Sequence, residues 1–332
     1  MQKELFPTAG ERILWVKFGG FGDILQALVS VQIFKKKFPD THITFLTRAI
    51  YEETALSQPY IDDVIVGEKN SIHQYFTLIR ALKKCQPFDW IVNYQGTGKT
   101  DTMGVLVNIP KKIYAEKMNF LRRPFYDYNY WDWADALGID LRDREDARLV
   151  VPNQTVEKAK NLLSTLPTKK LFAIIGGAWK EKRWLTKYWC EFLKPLASKG
   201  WGIVLNGHGH EEYQIAQQIE TFVNSSNLLN LVDKLSFIDM FGVVDVCSVA
   251  LGNDTGALHL AALQGKPTLG IFGGTRYEPI DFLMPNFRAV HTTCINVGCG
   301  RDKLCKKICL ESVTPQRVQS VFDQIVKTYD LD

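Results

Sequence analysis

The stretch that decides the fold is residues 12–47, RILWVKFGGFGDILQALVSVQIFKKKFPDTHITFLT. It opens with a short apolar run, residues 13–17, of the length typical of a buried strand. After a glycine-rich loop, residues 24–37 place apolar side chains at helical spacing, which predicts a helix with one buried face. Pro39 ends that helix, and His42–Thr47 is a second strand-like run. Strand, helix and strand in this order predict a βαβ unit within a parallel sheet.

The same alternation continues through most of the chain. A new series begins at LFAIIGG, residues 171–177, after a polar region that contains a helix at 155–166. The aromatic-rich middle, 116–146, predicts a short helix at 130–137. Further strands are predicted at Asp63–Val66, 89–93, Gly202–Asn206, 228–231, 249–251 and 267–272, and a last amphipathic helix at Pro315–Thr328. We therefore expect two α/β domains of similar size with a cleft between them.

Composition excludes several classes of protein. The 332 residues are 46% hydrophobic and 23% charged, as in an ordinary globular enzyme, and the formal net charge of +4 is too small to indicate nucleic-acid binding. The start, MQKELFPTAGER, resembles no secretion signal, and no apolar run is long enough to span a bilayer. We expect a cytoplasmic protein with reduced cysteines.

The first candidate binding loop is FGGFGD, residues 18–23, between the first strand and the first helix. Its glycines allow close approach of a ligand, and ligands of open α/β sheets bind at the carboxyl ends of the strands. The dinucleotide pattern GxGxxG is broken at Leu25, so a nicotinamide cofactor is disfavoured. Asp23 has two interpretations, a helix-capping carboxylate or a general base.

Two further loops follow strands of the second half. GGAWKEKRW, residues 176–184, carries Lys180, Lys182 and Arg183, which suit a phosphate, although a solvated basic loop is the simpler alternative. In GNDTGALHLAA, residues 252–262, a turn of Asp, Thr and Gly starts a helix whose backbone N–H groups suit a diphosphate. His259 on this helix is either a ligand contact or a structural histidine. The sequence GTGKT, residues 96–100, lacks the first glycine of a P-loop.

Taken together, these loops resemble glycosyltransferase family 9, the ADP-heptose:lipopolysaccharide heptosyltransferases. The similarity covers both halves in order. It rests on the opening strand, G-D loop and helix, on DWIVNYQGTGKT, GGAWKEKRW and CLESVTPQRV, and most specifically on GNDTGALHLAALQGKPTLGIFGGT. Glycines 19 and 20 stand where many members have serines, Gly177-Ala178 replaces a threonine pair, and Leu185 replaces a proline.

The resemblance implies a GT-B fold, with two Rossmann-like domains whose parallel sheets face an interdomain cleft. The implied domains are 1–155 for the acceptor, 156–314 for the nucleotide-sugar, and a C-terminal helix at 315–332 that packs back on the N-terminal domain. It implies an inverting transfer, without metal, from ADP-heptose to a lipopolysaccharide inner-core acceptor.

The resemblance also implies roles for individual residues. Asp23 corresponds to the general base, and Glu212, with Glu211 as its rival, to the acidic residue near the nucleoside. The implied donor site consists of Gly177, Ala178, Lys182, Glu212, Asp254, Thr255, Gly256 and His259, and the acceptor site of Lys17, Gly20, Gly22 and Lys99.

Four cysteines, Cys294, Cys299, Cys305 and Cys309, cluster near the end of the chain. Their spacing differs from paired C-x-x-C zinc ligands, so iron or zinc binding is one interpretation and reduced thiols or one disulfide is the other. A metal-bearing cysteine loop would favour the alternative of a protein heptosyltransferase related to those that modify autotransporters. A non-catalytic nucleotide-sugar-binding relative is a third hypothesis.

A lipid-linked acceptor would bring the protein to the inner face of the cytoplasmic membrane. Two segments could form an interfacial patch, the lysines 35–37 and the aromatic segment 119–133 with Arg122 and Arg123. A solvated helix end and a packed aromatic cluster are the simpler alternatives.

Overall fold

The computed structural model describes residues 7, 9–68, 70–85, 87–114, 147–275, 284–294 and 309–331. The chain divides into two compact units, Met1–Val150 and Val151–Asp332. The division falls five residues before the predicted boundary at 155/156. The helix predicted at 130–137 and the aromatic segment 119–133 lie outside the described residues.

The first unit is a five-stranded parallel sheet with helices between its strands. The strands follow the order β3-β2-β1-β4-β5, and every pairing is parallel. The elements, in chain order, are β1 (Arg12–Val16), α1 (Phe21–Lys37), β2 (His42–Thr47), α2 (Glu52–Leu56), β3 (Asp63–Val66), α3 (Ile72–Lys84), β4 (Trp90–Asn93), α4 (Gly98–Leu106) and β5 (Lys111–Tyr114).

The core of the first unit forms around the central strand β1. Four of its five residues are fully buried, because the strand has a neighbour on each side and helices cover the sheet. The Trp15 ring lies 5.5 Å from that of Phe34 on α1 and 5.2 Å from that of Tyr94 after β4. This packing fixes the last turns of α1 against β1 and against the residue that follows β4.

The second unit is a six-stranded parallel sheet with the order β11-β10-β9-β6-β7-β8. Its strand order, counted within the unit, is the 3-2-1-4-5-6 arrangement of nucleotide-binding folds. The elements are α5 (Asn153–Leu162), β6 (Lys170–Ile174), α6 (Thr186–Ser198), β7 (Gly202–Asn206), α7 (His210–Val223), β8 (Leu228–Asn230), α8 (Asp239–Val246), β9 (Val249–Asn253), α9 (Gly256–Leu263), β10 (Thr268–Phe272), β11 (Phe287–His291) and α10 (Pro315–Thr328).

The last helix, α10, packs within the second unit. The Phe322 ring lies 5.4 Å from the ring of Phe192 on α6 and 5.5 Å from that of Trp201, and Val318 and Ile325 join the same buried cluster. The apolar face of this helix is therefore matched by the aromatic face of α6. That this helix also packs back on the N-terminal domain stays a prediction.

The two central strands of the second sheet approach closely at one glycine. Gly252 pairs with Ile174, and a Cβ at position 252 would lie 2.3 Å from the Ile174 Cβ and 2.6 Å from its carbonyl oxygen. Any larger residue would force β6 and β9 apart. The loops that follow these strands therefore leave the sheet side by side.

The predicted α/β architecture with parallel sheets is confirmed. His42–Thr47, Asp63–Val66 and Gly202–Asn206 form the strands that the sequence predicts. Two edge strands, β5 and β11, escaped prediction because charged residues such as Lys111 and Arg288 interrupt their apolar pattern. In the described ranges, no helix combines the length and apolar character needed to cross a membrane.

Candidate functional site

In the first unit, the loop 18–23 is held by a glutamine from the neighbouring strand. The Gln95 Oε1 atom, just beyond β4, accepts hydrogen bonds from the backbone N–H groups of Phe18 and Gly19, each at 2.9 Å. The loop is thus fixed at its start, and α1 then begins at Phe21, with Asp23 in its first turn. Asp23 has 41% of its side chain exposed, so its carboxylate is accessible from solvent.

Lys17 lies beneath this loop and pairs with Asp23. The Lys17 Nζ atom is 3.5 Å from the Asp23 Oδ2 atom and donates a hydrogen bond to the carbonyl oxygen of Tyr94 at 3.2 Å. Burial lowers the pKa of Lys17, and the charge of Asp23 acts in the opposite direction. With 7% of its side chain exposed, Lys17 is placed to compensate and orient Asp23 rather than to reach a bulky ligand.

The other predicted acceptor residues surround the same sheet edge. Gly20 is exposed and Gly22 is half-buried at the start of α1, and Lys99 is exposed in the first turn of α4. Because β1 and β4 are paired neighbours, the helices that follow them start at the same edge of the sheet. The structure therefore brings Gly20, Gly22, Asp23 and Lys99 to one edge of the first unit.

In the second unit, the Asp254 carboxylate is the centre of a charged cluster. Its Oδ2 atom accepts a hydrogen bond from the Lys182 Nζ atom at 2.5 Å, and one from the Thr275 hydroxyl at 2.7 Å. The Nε2 atom of His259 lies 3.6 Å from the other oxygen, Oδ1. Lys182 also lies over the ring of Trp179, 4.4 Å from its centroid. The basic loop predicted from the sequence is therefore tied to the turn at 254–256.

Asp254 is held in its ionised form. Burial acts to raise the pKa of Asp254, but its interaction with His259 and the charge of Lys182 outweigh burial and hold that pKa well below its usual range. Only 13% of the Asp254 side chain and 15% of the Lys182 side chain are exposed. A charge pair this sheltered from water depends strongly on its remaining hydrogen-bond partners.

The start of α9 offers donors beside this cluster. The helix begins at Gly256, with Thr255 as the residue before it. Within the described part of the chain, the buried Thr255 hydroxyl has no hydrogen-bond partner. The first N–H groups of a helix lack partners within the helix and carry partial positive charge. This end of α9 therefore suits an anionic group.

Glu212 is a buried carboxylate that links two loops. Its Oε1 atom accepts the N–H of Gly177 at 2.8 Å, and its Oε2 atom accepts the N–H of His208 at 2.6 Å. The carbonyl of Gly177 in turn accepts from the Arg183 side chain at 3.0 Å. Ala178 is exposed and Glu211, the rival acidic residue, is exposed and paired with Arg183. Glu212 and Gly177 are thus engaged with each other inside the unit.

Three residues that build these sites were not predicted from the sequence. Gln95 anchors the first loop. The Asn253 amide donates to the carbonyls of Ile175 and Gly176 and accepts the N–H of Trp184 at 2.9 Å, and the Thr275 hydroxyl reaches Asp254. Asn253 and Thr275 each directly follow a glycine at or just after the end of a strand. A polar residue in that position is the sequence pattern that could have indicated them.

The cysteine cluster is described only in part. Cys294 is half-buried and Cys309 is buried, whereas Cys299 and Cys305 lie outside the described residues. The described side chains include no group of three or more His, Cys, Asp and Glu placed to hold a metal ion.

Two nucleotide-binding-type units with polar loops at the carboxyl edges of their sheets are the architecture of the GT-B class, and comparisons with known proteins identify the family. Residues 107–303 match the model of glycosyltransferase family 9 (heptosyltransferase). The lipopolysaccharide heptosyltransferase 1 of Campylobacter coli is 24% identical over 328 residues, covering 86% of this chain and 88% of that protein.

Solved structures show the same fold. The glycosyltransferase family 9 protein from Veillonella parvula gives a TM-score of 0.81 at 18% identity, with 98% of this chain and all of that chain covered. The ADP-heptose lipopolysaccharide heptosyltransferase II of E. coli gives 0.78 at 17% identity, with 96% and 100% covered. This chain belongs to glycosyltransferase family 9 and is a glycosyltransferase.

We expect Asp254→Asn to lower the free energy of unfolding by about 3 kcal/mol at pH 7, because the change leaves a sheltered Lys182 without its counter-charge. A carboxyl whose folded pKa is depressed stabilises the fold above its unfolded pKa, about 4, and that stabilisation is lost on acidification. The difference in the free energy of unfolding between wild type and variant should therefore have its full size at pH 5 and become smaller toward pH 3. Urea unfolding curves at these pH values test this, and a difference that stayed constant down to pH 3 would contradict it.

Proposed function

We propose that the protein transfers heptose from ADP-heptose to a lipopolysaccharide inner-core acceptor, with inversion and without a divalent metal. The observation that carries the proposal is the cluster of Lys182, Asp254 and His259 beside the N-terminus of α9. The relatives whose names specify ADP-heptose or lipopolysaccharide support the choice of donor and acceptor.

The donor is proposed to bind the second unit through its diphosphate. When the sugar leaves, negative charge develops on the nucleoside diphosphate, and fixed donors stabilise that charge more in the transition state than in the ground state. Lys182 and the N–H groups at Gly256, with the Thr255 hydroxyl, are the groups of suitable chemistry. An ionised Asp254 repels a phosphate, so we assign it to the sugar hydroxyls and to holding Lys182 and His259. The arrangement supplies positive charge without a metal ion.

The acceptor is proposed to bind the first unit. Asp23 takes the proton of the acceptor hydroxyl while the oxygen attacks the anomeric carbon, and the bond from that carbon to the diphosphate oxygen breaks. Its exposed carboxylate is accessible to such a hydroxyl, and Lys17 beneath it fixes its position. Gly20, Gly22 and Lys99 lie at the same edge and are assigned to the acceptor.

We expect the EDTA-treated protein to bind ADP more tightly than GDP or UDP in calorimetric titrations. Lys182→Met should weaken ADP binding by about 10- to 100-fold, because a charge-assisted contact to phosphate contributes about 1.5–3 kcal/mol. The matched control is Lys187→Met, which removes an exposed lysine of α6 that lies over the ring of Tyr188. Binding that required a divalent ion, or equal affinity of both variants, would contradict the proposal.

We expect Asp23→Asn to reduce sugar transfer by at least about 100-fold while leaving ADP affinity within about twofold of wild type, because a base acts only on the acceptor. Asparagine keeps the volume beside Lys17, so the loop should keep its fold, which a thermal unfolding curve checks. Transfer is measured as product formed from donor and a defined acceptor. Full transfer by a well-folded Asp23→Asn protein would exclude Asp23 as the base.

We also propose that the protein contacts the cytoplasmic face of the membrane through one face of α3. Ile72 is 72% exposed and Phe76 is 49% exposed, one helical turn apart, and Arg80 and Lys83 continue the same side. No acidic residue occurs in α3. An apolar and basic helix face suits an anionic bilayer. The lysines 35–37 are less suitable, because Lys35 pairs with Asp62 at 2.7 Å.

We expect co-sedimentation with vesicles that contain phosphatidylglycerol and little with pure phosphatidylcholine. The double variant Ile72→Ser, Phe76→Ser should weaken vesicle binding by about tenfold, since each removes part of the about 1.5–3 kcal/mol available from burying a large apolar side chain. The control Phe222→Ser removes a 48% exposed ring from α7 in the second unit. Equal binding by the double variant and this control would contradict the assignment of the surface.

A further inference from the structure

We infer that Thr275 is a positioning residue of the donor site: its hydroxyl holds the Asp254 carboxylate in the orientation that presents Lys182 to the diphosphate. The inference rests on the proposed function, since it deepens the role of the same cluster. Thr275 follows β10 and is the last described residue of the range 147–275.

Thr275 contacts the same Asp254 oxygen that Lys182 contacts. Its Oγ1 atom donates to the Asp254 Oδ2 atom at 2.7 Å, and the same oxygen accepts from the Lys182 Nζ atom at 2.5 Å. Two donors on one oxygen restrict rotation of the carboxylate about its last torsion angle. His259, 3.6 Å from the other oxygen, is too distant for a normal hydrogen bond and fixes the carboxylate less.

The sheet topology explains how this contact arises. β9 and β10 are paired neighbours, and their carboxyl ends lead into the turns at Asp254 and at Gly273-Gly274-Thr275. The contact therefore joins two adjacent strand-end turns, while Lys182 joins them to the loop after β6. Three chain segments meet at one carboxylate.

The binding of a diphosphate makes the hydrogen bond from Thr275 to Asp254 important. Lys182 is engaged by Asp254 in this structure, through the side chain and, at 3.4 Å, through the backbone carbonyl. When its ammonium group turns toward a phosphate, the Asp254 carboxylate loses part of its compensation in a place where little water reaches it. The Thr275 hydroxyl stays hydrogen-bonded to the carboxylate in that state. Removing the hydroxyl should therefore weaken donor binding specifically.

Two variants separate the hydroxyl from the methyl group of Thr275. Thr275→Val keeps the shape and loses the hydroxyl, whereas Thr275→Ser keeps the hydroxyl. We expect Thr275→Val to raise the Kd for ADP and the KM for the donor by about tenfold, and Thr275→Ser to stay within about threefold of wild type. The KM for the acceptor, and kcat at saturating donor, should stay within about threefold in both.

The matched control is Thr268→Val, at the start of β10, the strand that precedes the turn with Thr275. The Thr268 hydroxyl is buried and donates to the carbonyl of Lys266 at 2.7 Å, so its removal has a similar effect on the fold without touching Asp254. We expect thermal unfolding to change comparably in the two valine variants, and ADP affinity to change only in Thr275→Val. In an Asp254→Asn background, Thr275→Val should alter ADP affinity by less than twofold, because its partner is already changed.

The possible outcomes separate the inference from the proposed function. A wild-type Kd for ADP in Thr275→Val overturns the inference and leaves the proposed function standing. Equal losses in the valine and serine variants, or in Thr268→Val, show that packing or stability is responsible and also overturn it. A wild-type protein that binds none of ADP, GDP and UDP overturns the proposed function, and the inference falls with it.

Discussion

The proposed donor site depends on one ionised carboxylate that is sheltered from water. Asp254 follows a central strand, and side chains from three separate segments lie around its carboxylate: Lys182, Thr275 and His259. A buried charge of this kind costs free energy unless its partners stay in place. The carboxylate therefore constrains the basic loop after β6, the turn after β10 and the first turns of α9 at the same time. A change at any one of them alters the surroundings of the others.

The parallel topology is what allows this convergence. In a parallel sheet every strand ends at the same edge, so the loops after β6, β9 and β10 become neighbours although they are distant in sequence. Gly252 brings β6 and β9 into closer contact than any side chain would allow, and Asn253 then joins their loops through its amide. Glu212, in the first turn of α7, holds the same basic loop by accepting the N–H of Gly177. Two buried polar side chains, Asn253 and Glu212, thus fix one short loop before any ligand arrives.

The sequence was sufficient for the fold and for the loops, because both depend on local patterns. The βαβ unit at 12–47 and the strand at Gly202–Asn206 follow from apolar spacing, and the glycine-flanked polar turns mark strand ends. The partner of each polar side chain does not follow from spacing. The resemblance implies an acceptor role for Lys17, but the burial of Lys17 and its pairing with Asp23 depend on how Tyr94 and α1 pack around it. The roles of Gln95 and Thr275 were not predicted for the same reason, because their hydrogen bonds join loops that follow different strands.

Each unit pairs a lysine with an aspartate, and exposure distinguishes the two pairs. In the first, the lysine is buried and the carboxylate of Asp23 is 41% exposed, so the lysine acts as the fixed member and the carboxylate can meet a hydroxyl group. In the second, Asp254 and Lys182 are both nearly buried, and the pKa of the carboxyl is held well below its usual range. A carboxylate in that condition is a poor proton acceptor, whereas an ammonium group on a flexible stem can turn toward an arriving anion. The two lysine–aspartate pairs therefore support two different proposals. In the first unit Lys17 sets the position of the base Asp23, and in the second unit Asp254 sets the position of Lys182.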